Sequence, residues 1–283
     1  MQPLRLVVPK GRIQEGVAKL LAEAGYGLRI DARSYRPACE APDVQVKLLK
    51  AQNIASLTAL GAHDAGFTGH DWVVETGADV VELFDTGLDP VRVVAAAPVG
   101  IDLAKLGRPV VVASEYEQLA RRFCTERGLA HVYVRTYGAT EVFPPEDADL
   151  IVDNTASGTT LAANDLTIVG EVLRSTTRFV ASHAALAHPD KGPRLRELTV
   201  LMESILRARG RVLLEMNVAT DRLEAVTALL PAMKTPTVQP LHGGGGFAVK
   251  AAVRRDEVNR LIPRLHEAGA SDILQYAIEK VVP

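Results

Sequence analysis

The sequence predicts an α/β protein, with mostly parallel sheets up to Gly210 and a small separate domain beyond it. Three observations carry this. Short β-branched runs alternate with stretches of helical hydrophobic spacing, the signature of βα units. The pattern renews near residue 91, and 283 residues suit two such sheets better than one. After Gly210 the order becomes β-α-β-β-α-β, the ferredoxin-like arrangement.

Residues 4–8, LRLVV, form the first strand, and after Pro9-Lys10-Gly11-Arg12 the positions Ile13, Val17, Leu20, Leu21 and Ala24 recur at helical spacing until Gly25. VQVKLL (44–49), DAGF (64–67) and ADVVELF (78–84) read as strands, with helices over 53–61 and 71–77. VRVVAAA and RPVVVAS follow, then a helix over 115–127, HVYVRT, a turn at YGATEV and the strand ADLIVD. In the last part RVLLEMNVA (211–219) is a strand, and Asp221 with Glu224 makes a D-x-x-E helix start. PTVQPL (236–241) and FAVKAAV (247–253) flank HGGGG; RDEVNRLIPRLHEAG is a helix and DILQYAIEKVV the last strand.

Lys and Arg total 32 against 34 acids, a net charge of −2, so no broad basic surface suggests nucleic acid as a partner. No apolar run approaches the roughly 18 residues of a membrane span, and MQPLRLVVPKGR is too short a run for a secretory signal. A cytoplasmic location is the expectation. Cys39 and Cys124 lack metal or redox spacing and read as ordinary thiols. His70 and His242 are isolated and read as bystanders, the latter beside a permissive glycine turn.

The joint LIVDNTASGTTLAAND (150–165) carries the chemistry. Asp149 and Asp153 are four apart on the strand and share a face, with Asp153 at the C-terminal end, where open parallel sheets bind ligands. Thr155, Ala156, Ser157, Gly158, Thr159 and Thr160 then form a loop of small residues ahead of a helix, a cradle in which backbone N–H groups can meet a phosphate. No G-K-[ST] follows, so this is not a Walker loop. A sugar phosphate satisfies both features, hydroxyls on the acid and phosphate on the loop; a plain βα turn with Thr and Ser capping the helix fits the same spacing.

The stretch DLIVDNTASGTTLAANDL resembles the phosphoribosyl-pyrophosphate loop of the ATP phosphoribosyltransferase family, which opens histidine biosynthesis. LRLVVPKGRIQEG, DAGFTGHDWVVETGADV and YGATEVFPPEDADLIVD agree with it in order and spacing, so the likeness spans nearly the whole chain. The resemblance implies two lobes like those of type II periplasmic binding proteins around a cleft. The catalytic part would comprise 1–90 with 178–210 and, as a second domain, 91–177; residues 211–283 would be the histidine-binding regulatory domain of the long form. It implies a homo-oligomer, from dimer to hexamer, without the separate regulatory subunit of the short form.

The implied reaction joins adenine N1 of ATP to C1 of phosphoribosyl pyrophosphate, with Mg²⁺ held largely by the leaving pyrophosphate. The resemblance assigns catalysis to Lys10, Arg12, Glu141 and Asp153, with Glu141 near the ribose or its metal and Lys10 and Arg12 near anionic groups. Substrate contacts fall to Gly11, Lys50, Asp71, Asp149, Thr155, Ala156, Ser157, Gly158, Thr159 and Thr160, and the effector to Asn217, Thr237, Ala252 and Ser271. Lys50 stands where the family often has arginine, Asn53 where it has an acid, and Asn217 where an acid can meet histidine's amino group. The competing readings are a non-catalytic two-lobed solute-binding protein, against which the missing export signal and the acid-plus-hydroxyl loop weigh, and an amino-acid sensor with a degenerate catalytic half, against which the intact loop weighs.

Overall fold

Leu4, Leu6, Val7 and Val8 are buried in β1 (Leu4–Pro9), and Gly11 leads the chain into α1 (Arg12–Glu23), which turns Val17, Leu20 and Leu21 inward. The structure, a computed structural model, describes residues 2–31, 34–231, 233 and 235–282. A two-residue ladder of β2 (Leu28–Arg29) and β3 (Ala38–Cys39) has no counterpart in the sequence pattern. Then come β4 (Val44–Leu49), α2 (Ala51–Ala59), β5 (Ala65–Gly69), α3 (His70–Thr76) and β6 (Val81–Asp85).

The next stretch gives β7 (Val91–Pro98), β8 (Val110–Ser114), α4 (Glu117–Glu126), β9 (His131–Arg135), β10 (Leu150–Thr155), α5 (Thr159–Ala163) and β11 (Leu166–Ser175). After Thr176 the chain forms β12 (Thr177–Ala181), α6 (His183–Ala187) and α7 (Lys191–Arg209). One sheet runs β4-β1-β5-β12-β6 and the other β11-β7-β10-β8-β9.

Each sheet is parallel except for one strand, β12 in the first and β7 in the second. Both are the first strand after the chain crosses from the other sheet. The reason is geometric: the other strands finish at the junction between the lobes, so a strand entering from that junction must run away from it. The result is the two-lobed α/β fold that the family resemblance implies. β10 continues two residues past Asp153, because Thr155 still pairs with Arg92.

The described chain divides into two compact units, 1–197 and 198–283. In the second unit β13 (Arg211–Val218), α8 (Leu223–Ala228), β14 (Thr237–Pro240), β15 (Phe247–Arg254), α9 (Val258–Glu267) and β16 (Ala270–Ala277) follow in ferredoxin-like order, with an antiparallel sheet β14-β15-β13-β16. Val212, Leu214, Met216 and Val218 alternate inward from β13 onto Val249, Ala251 and Val253 of β15 and Val226, Leu261 and Leu265 of the helices. Two local expectations are corrected. Asp221 lies inside a 3₁₀ turn, Thr220–Arg222, paired with Arg222, and α8 starts without a side-chain cap, so the D-x-x-E start does not form. The last strand begins at Ala270 and stops at Ala277, before residues 278–282.

Candidate active site

At the cleft end of β10, Asp153 accepts the Asn154 backbone N–H at 2.7 Å. Burial is the main force raising its carboxyl, to about 6; the charges of Glu115 and Glu141 add to it, and the Asn154 N–H and Thr140 hydroxyl pull it partly back. Glu141 is carried on a 3₁₀ turn, Thr140–Val142, and Glu115 stands just beyond β8. Two further carboxylates thus act on Asp153, one from just beyond β8 and one from the 3₁₀ turn before β10. Glu115 escaped the sequence reading, although an acid directly after the apolar run VVVAS repeats the pattern that marks Asp153.

Beyond Asp153 the loop is held by its own hydroxyls. Thr155 Oγ1 accepts the Gly158 N–H at 2.8 Å, and the Ser157 and Thr159 hydroxyls lie 3.0 Å apart. Gly158 adopts φ +84°, a left-handed conformation that a side chain would strain. Ala156 and Ser157 are exposed, and their backbone N–H groups have no protein partner among the described residues. With Thr159 and Thr160 exposed at the start of α5, the loop presents small donors to whatever enters.

A cavity of about 580 Å³ opens between the lobes, lined by Lys50, Trp72, Glu115, Arg135, Thr136 and Tyr137 among others. Lys50 is exposed at the N-terminus of α2, and no ion pair engages it among the described residues. Gln52 Nε2 donates to Glu115 across the cleft at 3.1 Å. The Glu75 carboxylate, on α3, accepts the Gln118 and Leu119 N–H groups at 3.0 Å each, capping α4 from the opposite lobe. Trp72 stacks on Tyr116 with ring centroids 4.4 Å apart.

Asp71 is buried rather than open to the cleft. It accepts hydrogen bonds from the Tyr116 and Ser175 hydroxyls, each at 2.6 Å. Gly69 makes room for this, since a Cβ there would fall 2.0 Å from Asp71 Oδ1. Arg12 pairs with Asp89 at 2.9 Å and lines a small cavity of about 70 Å³ with Asp71, Tyr116 and Asn154. Lys10 rests over the Tyr35 ring at 4.0 Å, beside Gly11. Asp149 is not part of this group: it precedes β10, at the far end from the loop, where Arg108 grips it at 2.6 and 2.7 Å and the Val111 N–H donates to it. Neither thiol is poised as a nucleophile, since burial raises Cys39 and pushes Cys124 up to about 11.

In the second unit, Asn217 stands directly across from Ser271 in the β13–β16 ladder. Thr237 pairs with Lys250 and Ala252 with Leu213, so these two occupy other rows of the sheet. The four expected effector residues therefore share one sheet, on three successive rows. The acid that Asn217 lacks is nearby: Asp272 Oδ2 accepts Asn217 Nδ2 at 2.9 Å, from a residue at φ +48°. Its sequence neighbours gave no sign of that pairing, which spans 55 positions.

Comparison with known proteins decides the family. The model of ATP phosphoribosyltransferase matches residues 50–205, and that of its C-terminal domain matches 208–280. The chain is 40% identical over 287 aligned positions to ATP phosphoribosyltransferase of Desulforudis audaxviator, covering 99% of each. This chain belongs to the ATP phosphoribosyltransferase family. It is 38% identical to the enzyme of Pelotomaculum thermopropionicum, again over 99% of both chains. A solved chain of the ATP phosphoribosyl transferase (HisG:HisZ) complex from Thermotoga maritima aligns with TM-score 0.63 and 25% identity, covering 71% of this chain and 98% of that one. The additional C-terminal domain makes this a long-form member of the ATP phosphoribosyltransferases.

Proposed function

We propose that Asp153 and the 155–160 loop form the phosphoribosyl site of the family reaction, with ATP in the neighbouring interlobe cavity. The chain is an ATP phosphoribosyltransferase, acting at the first step of histidine biosynthesis. Adenine N1 forms a bond to C1 of phosphoribosyl pyrophosphate as the C1–O bond breaks and pyrophosphate leaves with the electron pair. The observation that carries the assignment is the partly buried carboxylate next to a loop with free N–H groups at one strand end.

Asp153 accepts the ribose hydroxyls, and the N–H groups of Ala156 and Ser157 with the hydroxyls of Ser157, Thr159 and Thr160 hold the 5-phosphate. Lys50 and Arg135 face the cavity where the triphosphate lies, and Trp72 supplies an aromatic wall for the base. Because charge separates as C1 becomes cationic, the protein's task is alignment and charge placement rather than supplying a nucleophile. Asp149 and Asp71 support these elements from inside; Arg12 and Lys10 stand at the entry of α1.

The acids fit a magnesium ion brought in on the diphosphate. Burial raises the proton affinity of Asp153 and the charges of Glu115 and Glu141 add to it, a field that a hard cation relieves, yet no group of three ligating side chains is assembled among the described residues. Those three carboxylates would hold its water shell, and bound there Mg²⁺ would neutralise the charge growing on pyrophosphate. We further propose inhibition by histidine at the C-terminal unit, around Asn217, Ser271 and Asp272, a homo-oligomeric assembly without a separate regulatory subunit, and a cytoplasmic location. No described helix is long and apolar enough to cross a membrane. The test is turnover of ATP and phosphoribosyl pyrophosphate with Mg²⁺, followed by the absorbance of the N1-alkylated adenine, with and without histidine. Binding of both substrates with no product would return the chain to the receptor or sensor reading.

A further inference from the structure

His63 lies in the loop between α2 and β5, and its Nδ1 is shielded from solvent with no hydrogen-bond partner among the described residues. It lines a cavity of about 280 Å³ with Arg5, Arg36, Gln45, Lys47 and Ala62. Arg5 and Gln45 are paired across β1 and β4, early in both strands, whereas the substrate cleft opens beyond their other ends at Pro9 and Leu49. The groove is thus separate from the site proposed for catalysis.

The charge around it is one-sided. Burial holds the His63 imidazole below its usual value, and Lys47, Arg5 and Arg36 press it lower still; Asp64 alone acts the other way among its main influences. Asp64 is already engaged, taking Lys191 Nζ at 2.9 Å on both oxygens and Arg5 Nη2 at 3.0 Å. Arg5 spends Nε and Nη2 on Asp64 and Gly61, which leaves Nη1. Neither the Lys47 nor the Arg36 side chain is paired among the described residues. Three cations, Arg5, Arg36 and Lys47, line a pocket that holds several waters' volume, and the one acid beside it is already paired, a field that a compact anion would neutralise.

We propose that this groove is a second anion site, taking a phosphoryl group, free or on a small phosphomonoester. Two or more negative charges match Arg5, Arg36 and Lys47, which line the cavity beside His63. The bound dianion cancels the cationic field, so the imidazole regains its proton more easily. Chloride, with one charge and no directional acceptor geometry, does much less.

The experiment is nuclear magnetic resonance of the imidazole nitrogens in the full chain, with His63 assigned through His63→Gln. Sodium phosphate and glycerol 3-phosphate are titrated separately against sodium chloride at equal ionic strength. Each phosphoryl compound is expected to shift His63 saturably and raise its titration midpoint by about one unit, and Lys47→Ala with Arg36→Ala to weaken saturation about tenfold or more. Both substitutions are at polar, non-core positions, and Asp153→Asn is the control that leaves the His63 response intact. Saturation by phosphate alone assigns the free ion, and by glycerol 3-phosphate alone an ester. A His63 midpoint that phosphoryl compounds move no more than chloride, or an unchanged response in the Lys47/Arg36 double variant, overturns the proposal.

Discussion

The Tyr116 hydroxyl lies 2.6 Å from Asp71 Oδ2 and 3.0 Å from Asn154 Nδ2, so one buried phenol ties α3 in the first lobe to β10 in the second. Burial, followed by the Asp71 charge, holds the phenol well above its ordinary value, and it remains a donor. Tyr116→Phe keeps the stack on Trp72 and deletes that donor. Unfolding by denaturant should show a loss of about 1–3 kcal/mol, the range for a hydrogen bond to a buried charge. Turnover should also slow, with KM for phosphoribosyl pyrophosphate rising more than KM for ATP, because Asn154 adjoins Asp153. Unchanged stability and kinetics would show that the contact does neither job.

The raised Asp153 carboxyl makes a pH prediction with a definite sign. Its folded value of about 6 lies above the ordinary 3.8, so the folded state holds the proton more tightly than the unfolded chain. Asp153 therefore favours folding more as pH falls from 7 towards 4, and this contribution fades as pH rises through about 6. Asp64, Asp85 and Asp149 are held low and act oppositely, losing their contribution in acid. The difference in melting temperature between wild type and Asp153→Asn, measured across pH 4–8, should change over the window of Asp153. A constant difference would remove the perturbed carboxyl.

Asp149 and Arg108 form a two-point ion pair at the end of β10 away from the loop. Asp149→Asn should lower the melting temperature at neutral pH and flatten the acid limb of stability, since the pair holds the Asp149 carboxyl low. KM for both substrates should stay close to wild type. A selective rise in KM for phosphoribosyl pyrophosphate would return Asp149 to the substrate site.

Asp272 is the predicted anchor for the amino group of histidine. Asp272→Asn keeps a side-chain oxygen within reach of Asn217 but removes the negative charge, so half-inhibition should need about tenfold more histidine, the cost of one charge-assisted contact. The uninhibited rate should be unaffected. Full sensitivity in that variant would place the effector on another part of the sheet.

Much of this was legible in the sequence because it is local. The apolar runs before Pro9 and at 150–152, the spacing of Val17, Leu20 and Leu21, and the small residues of 155–160 each report on neighbours within a few positions. Asp149 and Asp153 flank one apolar run, and position along the strand favours Asp153; the Arg108 pairing that occupies Asp149 joins residues 41 positions apart and leaves no local mark. Asp71 needed Tyr116, 45 positions away, to become a buried contact between the lobes, and the role of Glu75 depends on a helix in the opposite lobe. The crossing of the chain between lobes was visible through the family resemblance and not through any period, because strand direction leaves no mark on side-chain spacing.

The most direct measurement is a crystal structure of the chain with phosphoribosyl pyrophosphate and Mg²⁺. The ribose diol should lie on the Asp153 carboxylate and the 5-phosphate within hydrogen-bond distance of the Ala156 and Ser157 N–H groups. A fully occupied ligand elsewhere, with Asp153 and the 155–160 loop contacting only solvent, would contradict that placement.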